Sequence, residues 1–271
     1  MLRSIKELEG YTVGATDGDV GRVKDCYFDD EAWVIRYFVV ATGEWLSNRR
    51  VLISPIAIGD PTWSGKVLPV SITREQVKNS PDIDTDKPVS RQHEIGYLGY
   101  YGYPYYWGGT GLWGEASYPG TMLTGAGYNG IDGEYKNLRA NAASEYGGNQ
   151  SADQHLRSCN VVSTYRVHAS DGDLGHVEGL LVDERTWSIR YMIVNTSNWW
   201  VGHSVLISPE WIDNVSWINE KVMIDLTRQA IKDAPPYDST VQLNREHELG
   251  IYKHYGRTGY WTEGAKHRVA L

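Results

Sequence analysis

Apolar and polar positions alternate in short runs cut by turn-forming residues, and that pattern predicts strands. Tyr11 to Ala15 reads as a brief strand, and Gly21 to Asp29 as its return, with Val23 and Tyr27 among polar residues. Between them, Asp17-Gly18-Asp19 supplies the positive φ angles of a tight hairpin turn. Asp30-Glu31-Ala32 makes a second turn. Trp33 to Ala41 is β-branched and aromatic, and apolar on both faces except at Arg36, the pattern of a strand covered on both sides. Val51-Leu52-Ile53 is closed by Ser54-Pro55, where proline removes a ladder donor. Lys66 to Ile72 alternates again, and Thr73 reads as the N-cap of a short helix from Arg74 to Asn79. Ser90 reads as the N-cap of a helix from Arg91 to Tyr101, followed by the aromatic tail Tyr106-Trp107. Positions 2–9, with Leu2, Ile5 and Leu8, read as a short segment of helical or irregular spacing. Five or six short strands in about 70 residues predict a small antiparallel β-barrel with a helical extension.

This reading applies twice. Residues 2–107 align with 156–261 at a constant shift of 154 with no gap, and roughly 39 of roughly 106 paired positions are identical. Asp17, Gly18 and Gly21 return as Asp171, Gly172 and Gly175, and Arg36 returns as Arg190. Arg91-Gln92-His93-Glu94 returns as Arg245-Glu246-His247-Glu248, and the tail as Tyr260-Trp261. A period of this length marks a duplicated domain. The expected organisation is a first copy over 1–107 (barrel about 1–80, extension about 81–107), a linker over 108–154, a second copy over 155–261 and a tail over 262–271. The linker is rich in Gly and Tyr and is expected to be loose. Its length permits exchange of terminal segments between copies, or between chains in a homo-oligomer.

Composition narrows the function classes. The chain of 271 residues carries a net charge of -8 without a basic run, which argues against nucleic acid and against an anionic membrane as partner. Tyr 19 and Trp 11 against Phe 2 favour half-buried aromatic surfaces and interfaces. Cys26 and Cys159 align with aliphatic residues and read as buried free thiols. The start lacks a hydrophobic signal core and no stretch is long enough to span a bilayer, so a cytoplasmic location is expected.

The opening Leu-Arg-Ser, the Asp-Gly-Asp-x-Gly turn, the Trp-x-Ile-Arg-Tyr strand and the Val-Leu-Ile-Ser-Pro segment, each present in both copies, together resemble the PRC-barrel family. That domain is named for the cytoplasmic part of the photosynthetic reaction-centre H subunit and is similar to the carboxy-terminal domain of a ribosome-maturation factor. The Arg-x-His-Glu helix and the Tyr-Gly-x-x-x-Tyr-Trp tail look like the tandem, stand-alone bacterial members. The resemblance implies two tandem β-barrels used for protein contact, without enzymatic activity or cofactor. The alternative it implies is an accessory of a membrane photosynthetic or electron-transfer complex, handling protons or a ligand.

Candidate chemistry follows from single residues. Asp17, Gly18 and Gly21, with Asp171, Gly172 and Gly175, read as hairpin turns, because position twelve of a calcium loop would be Phe28. His93-Glu94 and His247-Glu248 lack the second histidine of a zinc-protease motif and read as surface His-Glu pairs on helices, so no metal is expected. Arg36 and Arg190, each inside an apolar strand, require a carboxylate or carbonyl partner. Loop tryptophans Trp45, Trp199 and Trp200 read equally as interface anchors or as lids on a barrel mouth. Tyr101, Tyr106, Trp107, Tyr260 and Trp261 complete the interaction candidates, with core packing as the competing reading. The chain has no Gly-x-Ser-x-Gly elbow and no Cys-x-x-Cys, and the partner expected is a protein.

Overall fold

The alternating runs become strands, and the repeat becomes two sheets. The computed structural model describes residues 1–81, 89–123, 155–196 and 203–262. The first half contains β1 (Leu2–Ser4), α1 (Ile5–Leu8), β2 (Thr12–Ala15), β3 (Gly18–Asp29), β4 (Val34–Ala41), β5 (Arg50–Ile53), β6 (Val67–Pro69), α2 (Arg74–Lys78) and α3 (Arg91–Tyr101). The second contains β7 (Leu156–Ser158), α4 (Cys159–Val162), β8 (Arg166–Ala169), β9 (Gly172–Asp183), β10 (Ile189–Asn195), β11 (Ser204–Ile207), β12 (Ile212–Ser216), β13 (Lys221–Ile224), α5 (Arg228–Lys232) and α6 (Arg245–His254). The described protein is therefore mainly β with short helices.

The chain forms two compact units. The first comprises Leu8–Asp30 and Val34–Ser158; the second comprises Met1–Glu7, Glu31–Trp33 and Cys159–Leu271. The first unit holds a sheet of order β5-β4-β3-β2-β6, with β7 added to β3. The second holds β11-β10-β9-β8-β13-β12, with β1 added to β9. The unit borders thus depart from the repeat borders at 107 and 155: each unit takes its opening strand from the opposite repeat.

The geometry of β3 explains this addition. β3 has twelve residues, while its hairpin partner β2 has four. Residues 22–29 of β3 pair with β4, and residues 18–22 pair with β2. Beyond β2 the other edge of β3 is open, and β7 covers it through Asp29↔Leu156, Phe28↔Arg157 and Tyr27↔Ser158. β9 is completed in the same register by β1.

Two features of the expected antiparallel barrel are corrected. β6 runs parallel to β2, and β13 parallel to β8. The strand paths are also open: β5 and β6 end the first, and β11 and β12 end the second. Ser54-Pro55 ends β5, because the proline has no N–H and leads into a 3-10 turn over Pro55–Ala57.

β4 is buried at seven of its eight positions, as its apolar pattern requires. Gly21 does not lie in the turn; it is a strand residue of β3. A β-carbon there would strike the carbonyl oxygen of Ala41, and at Gly175 that of Asn195. The turn itself is the two-residue loop Thr16-Asp17, since Ala15 pairs with Gly18, and among its neighbours Gly18 carries the positive φ of 133°. Cys26 and Cys159 are free and buried, and burial pushes the Cys26 thiol up.

Candidate functional site

The side chains with the most chemistry lie inside the first unit. Ser90 caps α3 by accepting the His93 N–H, and helical spacing then sets Arg91 and Glu94 on one inward face. Glu94 is fully buried and Arg91 nearly so. One Glu94 oxygen accepts from the Tyr106 hydroxyl at 2.6 Å. The other meets Arg91 Nη1 at 3.2 Å and His155 Nε2 at 2.6 Å. His155 Nε2 is also 3.2 Å from the Tyr106 hydroxyl, and is held there by the segment leading into β7.

Arg36 on β4 extends this cluster. Its guanidinium pairs with Asp29 at 3.0 Å, donates to the Leu112 carbonyl at 2.7 Å and lies 3.9 Å from the centre of the Tyr106 ring. Trp113, 1 % exposed, has its ring centre 4.7 Å from the same guanidinium. Two guanidinium groups thus face two carboxylates in a buried interior, where pairing offsets the cost of burying charge. Burial pushes the hydroxyls of Tyr37 and Tyr106 well above the usual phenol range, and the negative charge of Glu94 adds to the effect. The cluster locks helix, aromatic tail, β4 and β7 together.

The second unit repeats the design with fewer charges. Glu248 on α6 accepts from Tyr191 and Tyr260, each at 2.9 Å, and pairs with Arg245 at 3.0 Å. Arg190 lies 4.1 Å from the centre of the Tyr260 ring, as Arg245 does from Trp261. Position 155 corresponds to Met1 in the repeat, so this cluster has no histidine counterpart.

Several expectations change here. Arg36 has a carboxylate and a carbonyl, where one was expected, whereas Arg190 lies over the Tyr260 ring and its charge acts on the Glu210 carboxyl. His93 is exposed, but Glu94 is buried, so the pair is not a surface pair; the same holds for Glu248. Tyr106 is core, and Trp107, Tyr260 and Trp261 are half-buried in tail packing. Tyr101 is half-buried between Tyr97 and Tyr103, its hydroxyl pushed up to about 12 chiefly by burial. Residues 108–123 of the expected linker are packed, with Trp113 at their centre. Sequence reasoning missed His155 and placed Glu94 and Glu248 at the surface. The available signal was the Arg-x-x-Glu spacing, present twice and followed each time by Tyr-Trp.

Replacing Arg36 by Met is expected to lower stability by about 3 kcal/mol, because Asp29 loses its buried counter-charge. The double variant with Asp29→Leu should recover most of that loss in denaturant titrations. Equal losses in the single and double variants would refute the pairing.

Nearer the surface, Asp17 accepts the Arg74 N–H at 2.7 Å, and Asp171 accepts that of Arg228 at 2.8 Å. These repeated aspartates pin α2 and α5 to the hairpins, which accounts for the acid in both turns without calcium. Half-buried Trp45 donates its indole N–H to the Val20 carbonyl at 2.7 Å, and Arg74 lies 4.2 Å from the centre of its ring. Trp45 and Arg74 line an open cleft with Asp17, Glu75, Lys78 and Asn79. Trp199 and Trp200 lie outside the described residues, as do 124–154 of the linker and 263–271 of the tail. Among the described residues, no group of three or more His, Cys, Asp or Glu side chains is placed to hold a metal ion. No helix among them is long and apolar enough to cross a membrane.

Comparison with known proteins adds two findings. Residues 2–68 match the family model described as PRC-barrel domain. The chain is also 33% identical over 79 residues to an uncharacterized protein of Deinococcus radiodurans. That match covers 29% of this chain and 28% of the relative.

Proposed function

We propose that this chain, whose residues 2–68 match the PRC-barrel domain model, acts by binding a protein rather than by catalysing a reaction. Both units are read as one PRC-type fold, since the second keeps the element order of the first at the shift of 154, with β12 added. The interior clusters engage their acids and bases with one another, a structural use of ionisable groups.

The observation that carries the reading is the Trp45 cleft. A half-buried tryptophan flanked by arginine offers the residue types that dominate binding energy at protein interfaces. Around it, Asp17 and Glu75 stand beside Arg74 and Lys78, a mixture of both signs that suits a polar protein surface better than a phosphate backbone.

Trp45→Ala tests this. A protein retained by the immobilised wild-type chain, then made recombinantly, should bind the purified chain, and the variant should weaken that binding at least tenfold while melting within a few degrees of wild type. If the recombinant protein bound both chains equally, the cleft would not be the interface.

A second reading, an accessory of a membrane electron-transfer complex, has one observation behind it. Glu94, His155 and Tyr106 form a hydrogen-bonded set of titratable groups. Sedimentation with membranes that contain such a complex is the outcome expected from that reading alone.

A further inference from the structure

We propose that the strand completing the first unit can come from a second copy of this chain, making the open edge of β3 a docking site for the segment His155–Ser158 of another molecule. The inference goes beyond the Trp45 reading and rests on a different surface.

β7 is held by both its backbone and its side chains. Its backbone pairs with residues 27–29 of β3, and the His155 carbonyl accepts the Asp30 N–H at 2.9 Å. Arg157 Nε donates to Asp30 at 2.7 Å, and the Ser158 hydroxyl donates to Asp25 at 2.6 Å. His155 reaches the buried carboxylate of Glu94. This is strand addition with side-chain contacts from His155, Arg157 and Ser158, a general mode of peptide recognition.

None of these contacts requires donor and acceptor to belong to one molecule. In sequence, residues 124–154 separate Leu123 from His155. Two segments that pair within one chain do so in dilute solution, and at high concentration another molecule can supply β7. Every hydrogen bond and ion pair of the exchanged form equals one of the unexchanged form, which is the condition for segment exchange.

The site also discriminates. The opening strand of the chain is the same tripeptide, Leu2-Arg3-Ser4, and it docks on β9 with Arg3 Nη2 on Glu184 at 2.6 Å. It is preceded by Met1, however, whose side chain has no N–H or O–H to donate to Glu94 in place of the His155 ring. The first unit therefore selects the donor that carries histidine.

Complementary charge reversal in the full chain tests this. D30R and R157E each oppose the native pair within one molecule. Refolded together, they restore both pairs only by exchange: Arg157 of the first variant meets Asp30 of the second, and the two replaced positions meet each other. The expected result is a heterodimer exceeding either homodimer about tenfold by native mass spectrometry, with the double variant D30R/R157E returning to monomer. A mixture of two monomers would overturn the proposal. Should either variant fail to fold, wild-type chains of two isotopic masses, refolded together at about 1 mM, are expected to give mixed-mass dimers that His155→Met diminishes; a wild type that stays monomeric there overturns the proposal equally. Either negative result would leave Trp45-dependent binding untouched.

Discussion

Raising the pH through about 11 is expected to unfold the protein in one steep transition, with tyrosinate absorbance appearing at the same pH as the loss of structure. Tyr37, Tyr97, Tyr106 and Tyr191 are each at most 4 % exposed. Burial pushes all four hydroxyls well above the phenol range, and neighbouring Glu94 or Glu248 adds to it for Tyr37, Tyr106 and Tyr191. Unfolded tyrosines ionise near pH 10. Between that value and the raised folded values, the unfolded chain has released protons that the folded protein retains, so stability is intact below pH 10 and falls as the pH rises. Each such tyrosine costs about 1.4 kcal/mol at one pH unit above its unfolded value. Four together cost about 6 kcal/mol at pH 11, which is comparable to the whole stability of an ordinary domain. Circular dichroism and absorbance at 295 nm, followed in one titration, check this. Gradual ionisation from pH 10 without loss of structure would show that the hydroxyls are reached by solvent. Tyr37→Phe should make the transition shallower, since one linked proton is removed.

How much of this was legible beforehand depends on the range of the forces involved. α3 begins and ends where Ser90 and Gly102 place its caps, because capping is decided within a few residues. β4 was visible for the same reason: seven buried positions in a row leave a continuous apolar run. β1 and β7 were not visible. Three residues cannot display a period of two, and what makes Leu-Arg-Ser a strand is an open edge elsewhere in the chain. The parallel placement of β6 escaped for a similar reason, since alternation shows which face a residue takes but not which neighbour the strand meets. The packed part of the linker was hidden by its glycines. They read as looseness, yet Gly109 and Gly111 lie where a β-carbon would strike the backbone of Gly114 and Ala116, so the glycines allow the tight approach that buries Trp113. Glu94 was misplaced because a charged helical residue is outward by default. The arginines, tyrosines and histidine that make its burial tolerable come from four separate stretches of sequence.

Those partners set the second large effect, a difference between two equivalent carboxylates. Glu94→Ala is expected to cost about 4 kcal/mol, and Glu248→Ala about half as much. Removing Glu94 takes the buried counter-charge from Arg91, whose side chain is 10% exposed, and an acceptor from both His155 and the Tyr106 hydroxyl, which are 5% or less exposed. Removing Glu248 leaves the hydroxyls of Tyr191 and Tyr260 without their acceptor. The cation it releases, Arg245, is 50% exposed and can hydrate in place, so its share of the penalty is small. Hydrogen exchange separates the two effects by location, through the amides of β4 for Glu94 and those of β10 for Glu248. Within the first cluster, Glu94→Ala combined with Arg91→Met should be less destabilising than Glu94→Ala alone, because the stranded charge is what costs most. Equal losses for the two alanine variants would mean that burial of the cation does not govern the cost. That result would also remove the physical reason for Glu94 to select a histidine at the head of the docking strand.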